Sequence, residues 1–143
     1  MFKSVTVPLL VLALILPTVV AAQRVQFERQ VRIPVRPIDA NTFEAVVNDG
    51  AYGSLMWCAA ARFTRHYLKQ RGGKLYVKQA VGPSTTFPGR KSVIFTTQPV
   101  PDAFKSYSES IRTAGQEFSQ AHAYAICRSN EPQFYVRVRV VGS

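Results

Sequence analysis

Apolar residues alternate with polar ones along the first accessible stretch of the chain. Val25, Phe27, Val31, Ile33 and Val35 occupy odd positions with mostly polar residues between them, the period of a half-buried strand. Pro34 and Pro37 predict that this strand stops there or lies on a sheet edge. Phe43, Ala45 and Val47 predict a second short strand, ended by the turn Asn48-Asp49-Gly50. Ser54 is then placed to cap a helix reaching Arg71, with Gly72-Gly73 ending it. Met56, Ala60, Phe63 and Tyr67 fall on one face of that helix and are expected in the core. Arg62, Arg65, His66 and Lys69 fall on the opposite face and predict a basic ridge.

Strand signals resume from Leu75 to Val81 and from Val93 to Thr97, joined by a loop from Gly82 to Gly89 rich in Gly, Pro, Ser and Thr. Asp102 is placed to cap a short second helix, with Phe104, Tyr107 and Ile111 inward and Gly115 past its end. Two further strands are expected, Phe118 to Cys127 and Phe134 to Val141, with Ser129-Asn130-Glu131-Pro132 as a hairpin turn. The expected architecture is α+β: an antiparallel sheet of about five or six strands packed against one main helix. In the strand before the turn, Ser119, Ala121, Ala123, Ala125 and Cys127 share one face and Phe118, His122, Tyr124 and Ile126 share the other. Small residues admit a close helix, so the alanine face is expected beneath the helix that carries Cys58.

The chain begins with a charged start (Met1-Phe2-Lys3), an apolar run from Val5 to Leu16 and Pro17, followed by Val20-Ala21-Ala22. That order is the pattern of a secretory signal cleaved before Gln23. Residues 1–22 are therefore expected to be a leader and 23–143 a single domain, periplasmic or secreted, with no other segment long and apolar enough to span a membrane. Past the leader stand 17 Lys and Arg against 8 Asp and Glu, a formal charge of +9. No acidic residue lies between Asp49 and Asp102, a stretch that holds Arg62, Arg65, Lys69, Arg71, Lys74, Lys78, Arg90 and Lys91. A field of that sign favours anionic partners: an anionic polymer, an envelope surface or another envelope protein.

The two cysteines, Cys58 and Cys127, are expected to pair in an oxidising compartment, closing a long loop worth roughly 3 to 4 kcal/mol by the chain-entropy argument. A competing chemistry uses the same residues. Cys58 near a helix N-terminus, followed by His122, has the order of papain-like and transglutaminase-like cysteine enzymes, with Asn130 or Glu131 orienting the imidazole. A bridge would occupy that nucleophile, and the strand alternation turns His122 away from it. Two histidines without neighbouring ligands make no metal site, and the spacing of Cys58 and Cys127 lacks the pairs of a structural zinc site. No carboxylate pair shares a helix face, no phosphate loop precedes a helix, and no cofactor is expected.

Tyr135, Arg137 and Arg139 share one side of the last strand, and Lys74, Tyr76 and Lys78 one side of another. Adjacent, they would form an aromatic and cationic platform for single-stranded nucleic acid, a partner that export disfavours. The binding residues expected are Arg62, Arg65 and Lys69 on the helix, with Arg137 and Arg139 on the sheet as a second surface. The stretch from Phe43 to Thr97, with Tyr52, Trp57-Cys58-Ala59-Ala60, Leu75-Tyr76-Val77, Gly82-Pro83-Ser84 and Val93-Ile94-Phe95-Thr96, resembles an uncharacterised family of short secreted bacterial proteins. The resemblance implies bacterial export, with a periplasmic location in a double-membraned cell, and supplies no site residues.

Overall fold

The structure is a computed structural model that describes residues 29–131 and 133–142. The expected leader, and the first expected strand before Arg29, lie outside the described residues. The elements run β1 (Arg29–Pro37), β2 (Thr42–Val46), α1 (Gly53–His66), β3 (Lys74–Pro83), β4 (Lys91–Thr96), β5 (Phe104–Lys105), β6 (Gln116–Ser119), α2 (Gln120–Asn130) and β7 (Phe134–Val140). The strands form one seven-stranded sheet in the order β5-β6-β3-β4-β2-β1-β7. Four pairings are antiparallel, but β1–β7 and β5–β6 are parallel, so the sheet is mixed rather than antiparallel and larger than expected.

The α+β class stands, and the differences have local causes. The expected strand over 118–127 is strand only to Ser119, after which the chain is helical. Alanine is the best helix former, and the Ser119 hydroxyl accepts the His122 N–H at 3.1 Å, an N-cap. The alternation of alanines imitated a strand, yet the buried residues are Gln120, Ala123, Ile126 and Cys127, which repeat every three or four positions. Ser129 and Asn130 therefore close a helix rather than turn a hairpin. The expected helix after Asp102 is absent. The Ser106 hydroxyl takes the Ser108 N–H and the Ser110 hydroxyl takes the Arg112 N–H, local bonds that compete with helical ones.

α1 is apolar all round at its centre, and Leu55 through Ala61 are all buried. One side lies on the sheet, where Phe63 meets Phe43 at 4.5 Å between ring centres and Trp57 meets Phe95 at 5.1 Å. Another side takes α2, and the segment around Ser110 closes the N-terminal end, its carbonyl accepting the Trp57 indole N–H. That end has no room for a side chain at Gly53, where a Cβ would sit 1.9 Å from the Glu109 carbonyl oxygen. Tyr52, not Ser54, holds the N-cap position, without a side-chain bond. The helix stops at His66, short of Gly72-Gly73, because Lys69 adopts a left-handed φ of 59° and the Leu68 and Gln70 N–H groups bond back to Phe63 and Thr64. Tyr67, expected in the core, is half exposed as a result.

Cys58 and Cys127 form a disulfide, their Cα atoms 4.9 Å apart and 69 residues apart in sequence. The bridge fastens α2 to α1. It also closes a loop worth about 4 kcal/mol by the chain-entropy argument. Pro34 sits in an interior strand rather than at an edge. It is tolerated because β2 pairs with β1 only from Val35 onward, while at Arg32 the side chains of Asn48 and Asp49 take the backbone groups.

The sheet face away from the helices carries a buried carboxylate, Glu44. Burial pushes its pKa up, but hydrogen bonds from the Ser84, Ser92 and Thr86 hydroxyls, with Arg36 nearby, outweigh that and hold it below the ordinary 4.5. The Ser84 and Ser92 bonds are 2.5 and 2.6 Å long and pin the loop 84–90 onto the sheet. Because the folded pKa lies below the unfolded one, the ionised group stabilises the fold above pH 4.5, and that contribution is lost as pH falls through the folded value. Glu44→Gln is expected to cost about 1–3 kcal/mol at pH 7 and to flatten the acid limb of the stability curve, read by urea unfolding across pH. An unchanged acid limb would contradict this role.

Candidate anion-binding face

The parallel pairing of β1 with β7 aligns Val31, Ile33 and Val35 with Val136, Val138 and Val140, all directed to the helices. The alternation turns Arg32, Pro34, Arg36, Arg137 and Arg139 toward the face that Glu44 occupies, whereas Tyr135, at the start of the edge strand, reaches round to Arg62 on α1. On the Glu44 face Arg32 stands in register with Arg137, and Pro34 with Arg139, while Arg36 lies opposite Glu44 on β2. Arg32, Arg137 and Arg139 are exposed. Their guanidinium groups make no hydrogen bond or ion pair among the described residues, where the ion pairs are Arg62–Glu131 and Lys74–Glu117. Arg36 is half-buried and donates to the Thr86 hydroxyl at 2.5 Å.

Two acids lie nearby, and neither forms an ion pair with the exposed arginines among the described residues. Glu44 is buried under the serine hydroxyls. Asp49, at the end next to Arg32, accepts from the Asn48 amide at 3.1 Å and the Arg32 backbone N–H at 3.5 Å. Asp49 and Gly50 both have positive φ, and the Ala51 N–H bonds the Asn48 carbonyl at 2.9 Å, the pattern of a type I′ turn. The expected turn at 48–50 thus places the carboxylate at one corner. Registered like charges on neighbouring strands are unfavourable by several tenths of a kcal/mol or more. A bound anion removes that repulsion and finds planar forks of donors suited to carboxylate, phosphate or sulfate oxygens.

The helix ridge expected from the sequence is largely engaged in structure. The Arg62 guanidinium bonds the Glu131 carboxylate and the Tyr135 hydroxyl, both at 3.2 Å, and lies 4.6 Å from the Tyr135 ring centre. Its side chain is only 16% exposed. Its Nε–H is buried without an acceptor among the described residues. Arg65 stacks on Tyr124 at 4.3 Å. Lys69 lies beyond the helix end. What survives at that end is a positive field: partial burial lowers the His66 pKa, and repulsion from Arg62, Arg65, Lys69 and Arg71 lowers it further.

The remaining expected residues also find places. Tyr76 is buried, Lys74 holds Glu117 at 2.7 Å, and β3 lies four places from β7, so the aromatic platform combining the two strands does not assemble. Cys58 is buried and its sulfur is bonded to Cys127, leaving no thiolate for the papain-like chemistry. His122 is exposed in the first turn of α2, its ring 4.8 Å from that of Phe118. Asn130 bonds the Ile126 carbonyl, and Glu131 is held by Arg62. Among the described residues no group of His, Cys, Asp and Glu could hold a metal ion, and no helix is long and apolar enough to cross a membrane.

Sequence reasoning named Arg137 and Arg139 but missed Arg32. The signal was the R-I-P-V-R run of β1, whose polar positions alternate as those of β7 do; the missing information was that the two strands are neighbours. Removing each kind of arginine separates their roles. Arg62→Ala is expected to destabilise by about 1–3 kcal/mol by unpairing Glu131, whereas Arg137→Ala stays within about 0.5 kcal/mol or stabilises. Chemical denaturation measures both, and equal losses would contradict the assignment. No protein-family model matches the chain, and neither a curated protein nor a solved structure matches it.

Proposed function

We propose that this is an exported, disulfide-stapled basic domain that binds an anionic ligand of the cell envelope or its surroundings through Arg32, Arg137 and Arg139. The observation that supports this reading is the register of Arg32 with Arg137, two exposed side chains on neighbouring strands that form no ion pair among the described residues, and Arg139 a further ~6.6 Å along the strand. A repeating polyanion or a run of carboxylates meets such a row at more than one point. Arginine suits the task because each fork binds two oxygens at once and stays charged at every physiological pH. The leader pattern of residues 1–22, the disulfide and the excess of cations together favour an oxidising, extracytoplasmic setting. Catalysis forms no part of the reading.

Heparin serves as a probe polyanion. Changing Arg32, Arg137 and Arg139 together to Ser is expected to shift elution from immobilised heparin to markedly lower salt. The same change at Arg65, Lys69 and Arg71, which removes equal charge from the end of α1, is expected to shift it less. A larger shift from the α1 set would place binding on the helix and overturn the proposal.

A further inference from the structure

The two ends of the sheet are unlike. One edge strand, β5, is two residues long and offers little to a partner. The other, β7, runs seven residues, and the backbone bonds at its ends, Val141 to Val35 and Arg29 to Gln133, are also made with the β1 side. Its outer row of N–H and C=O groups makes no backbone bond among the described residues. Natural sheets shorten or cover such an edge, because it is a template for another strand. Here it stays long and borders a groove of about 260 Å³ between α1 and β7. Phe63, Tyr67, Val138 and Val140 give this groove its apolar wall, with Tyr67 and Val140 47% and 42% exposed, while Arg62, His66, Tyr135 and Arg137 form its polar rim.

We infer that the open edge of β7 takes an extended segment of an acidic partner protein as an eighth strand. The inference rests on the arginine face proposed above and specifies its ligand. In an added strand successive side chains point to opposite faces. One set lies over Arg137 and Arg139 and must be acidic; the other points to the groove beside α1 and must be apolar. The recognised sequence is therefore an alternation of acidic with β-branched or aromatic residues, bound by main-chain hydrogen bonds with alternate side chains setting specificity. A second copy of this chain fits poorly. Two β7 edges would bring Arg137 and Arg139 of each copy together, and a chain with +9 beyond its leader repels its like.

The test uses the whole protein and a synthetic peptide alternating Glu with Val over seven residues, read by fluorescence anisotropy. Two N-methylated forms accompany it, one methylated on the Glu amides and one on the Val amides, because only one set of N–H groups faces β7. The expected result is that one form binds at least about tenfold more weakly and the other keeps most of its affinity. A block peptide of the same composition, all Glu then all Val, is expected to bind weakly. If both methylated forms and the block peptide bind like the parent while heparin retention still depends on Arg32, Arg137 and Arg139, the arginine face stands and the added strand is overturned. If that retention is independent of the three arginines, the underlying reading fails. A concentration-dependent dimer in sedimentation that excludes the peptide would assign the edge to a second copy and also overturn the inference.

Discussion

Everything in this fold depends on burying α1. Its central residues are apolar on every side, so a sheet on one flank cannot satisfy it, and a second helix must be brought against the other. α2 meets that need while carrying the chain from β6, next to one end of the sheet, to β7 at the opposite end. The crossing covers five strand spacings, about 24 Å, of which an 11-residue helix supplies about 16 Å. The Cys58–Cys127 bridge fixes the two helices together in the middle of that crossing. The direction of arrival makes β7 parallel to β1, and the row of arginines follows from that.

Charge distribution completes the account. The chain has few acids, and three of them are engaged: Glu44 by serine hydroxyls, Glu117 by Lys74, Glu131 by Arg62. Little carboxylate is left for the surplus of guanidinium groups. Around the end of α1 that surplus is scattered and has no common spacing. Where the β1–β7 register aligns it, it becomes a row with a defined spacing. Solvent screening keeps the repulsion of such a row small in the free protein, so the fold tolerates it. The same row gains strength when an anion excludes water from it.

Local pattern revealed what local physics decides. Alternation in β1 through β4 and the length of the apolar run in α1 were legible, as was the turn at Asn48-Asp49-Gly50. The cysteine pairing was also legible, although the route was mistaken: Cys127 faces Cys58 from a helix, four residues after Ala123, rather than from a strand. What stayed hidden needed long-range information. Alanines at 121, 123 and 125 fit a strand period and a helix propensity equally, and only the cap at Ser119 and contact with α1 separate them. Arg32 joined the candidate face only through a parallel partner about a hundred residues away. Arg62 left it because Glu131 and Tyr135, read as a turn residue and a sheet-platform residue, lie against α1.

The most direct measurement of the central claim is an NMR titration of the isotope-labelled protein with a short heparin-derived oligosaccharide, following backbone amides and arginine side-chain Nε–H signals. The account predicts that the largest changes fall on Arg32, Arg137, Arg139 and their neighbours in β1 and β7, with the signals of Arg62 and Arg65 little altered. Changes concentrated on Arg65, Lys69 and Arg71, with β1 and β7 silent, would contradict it.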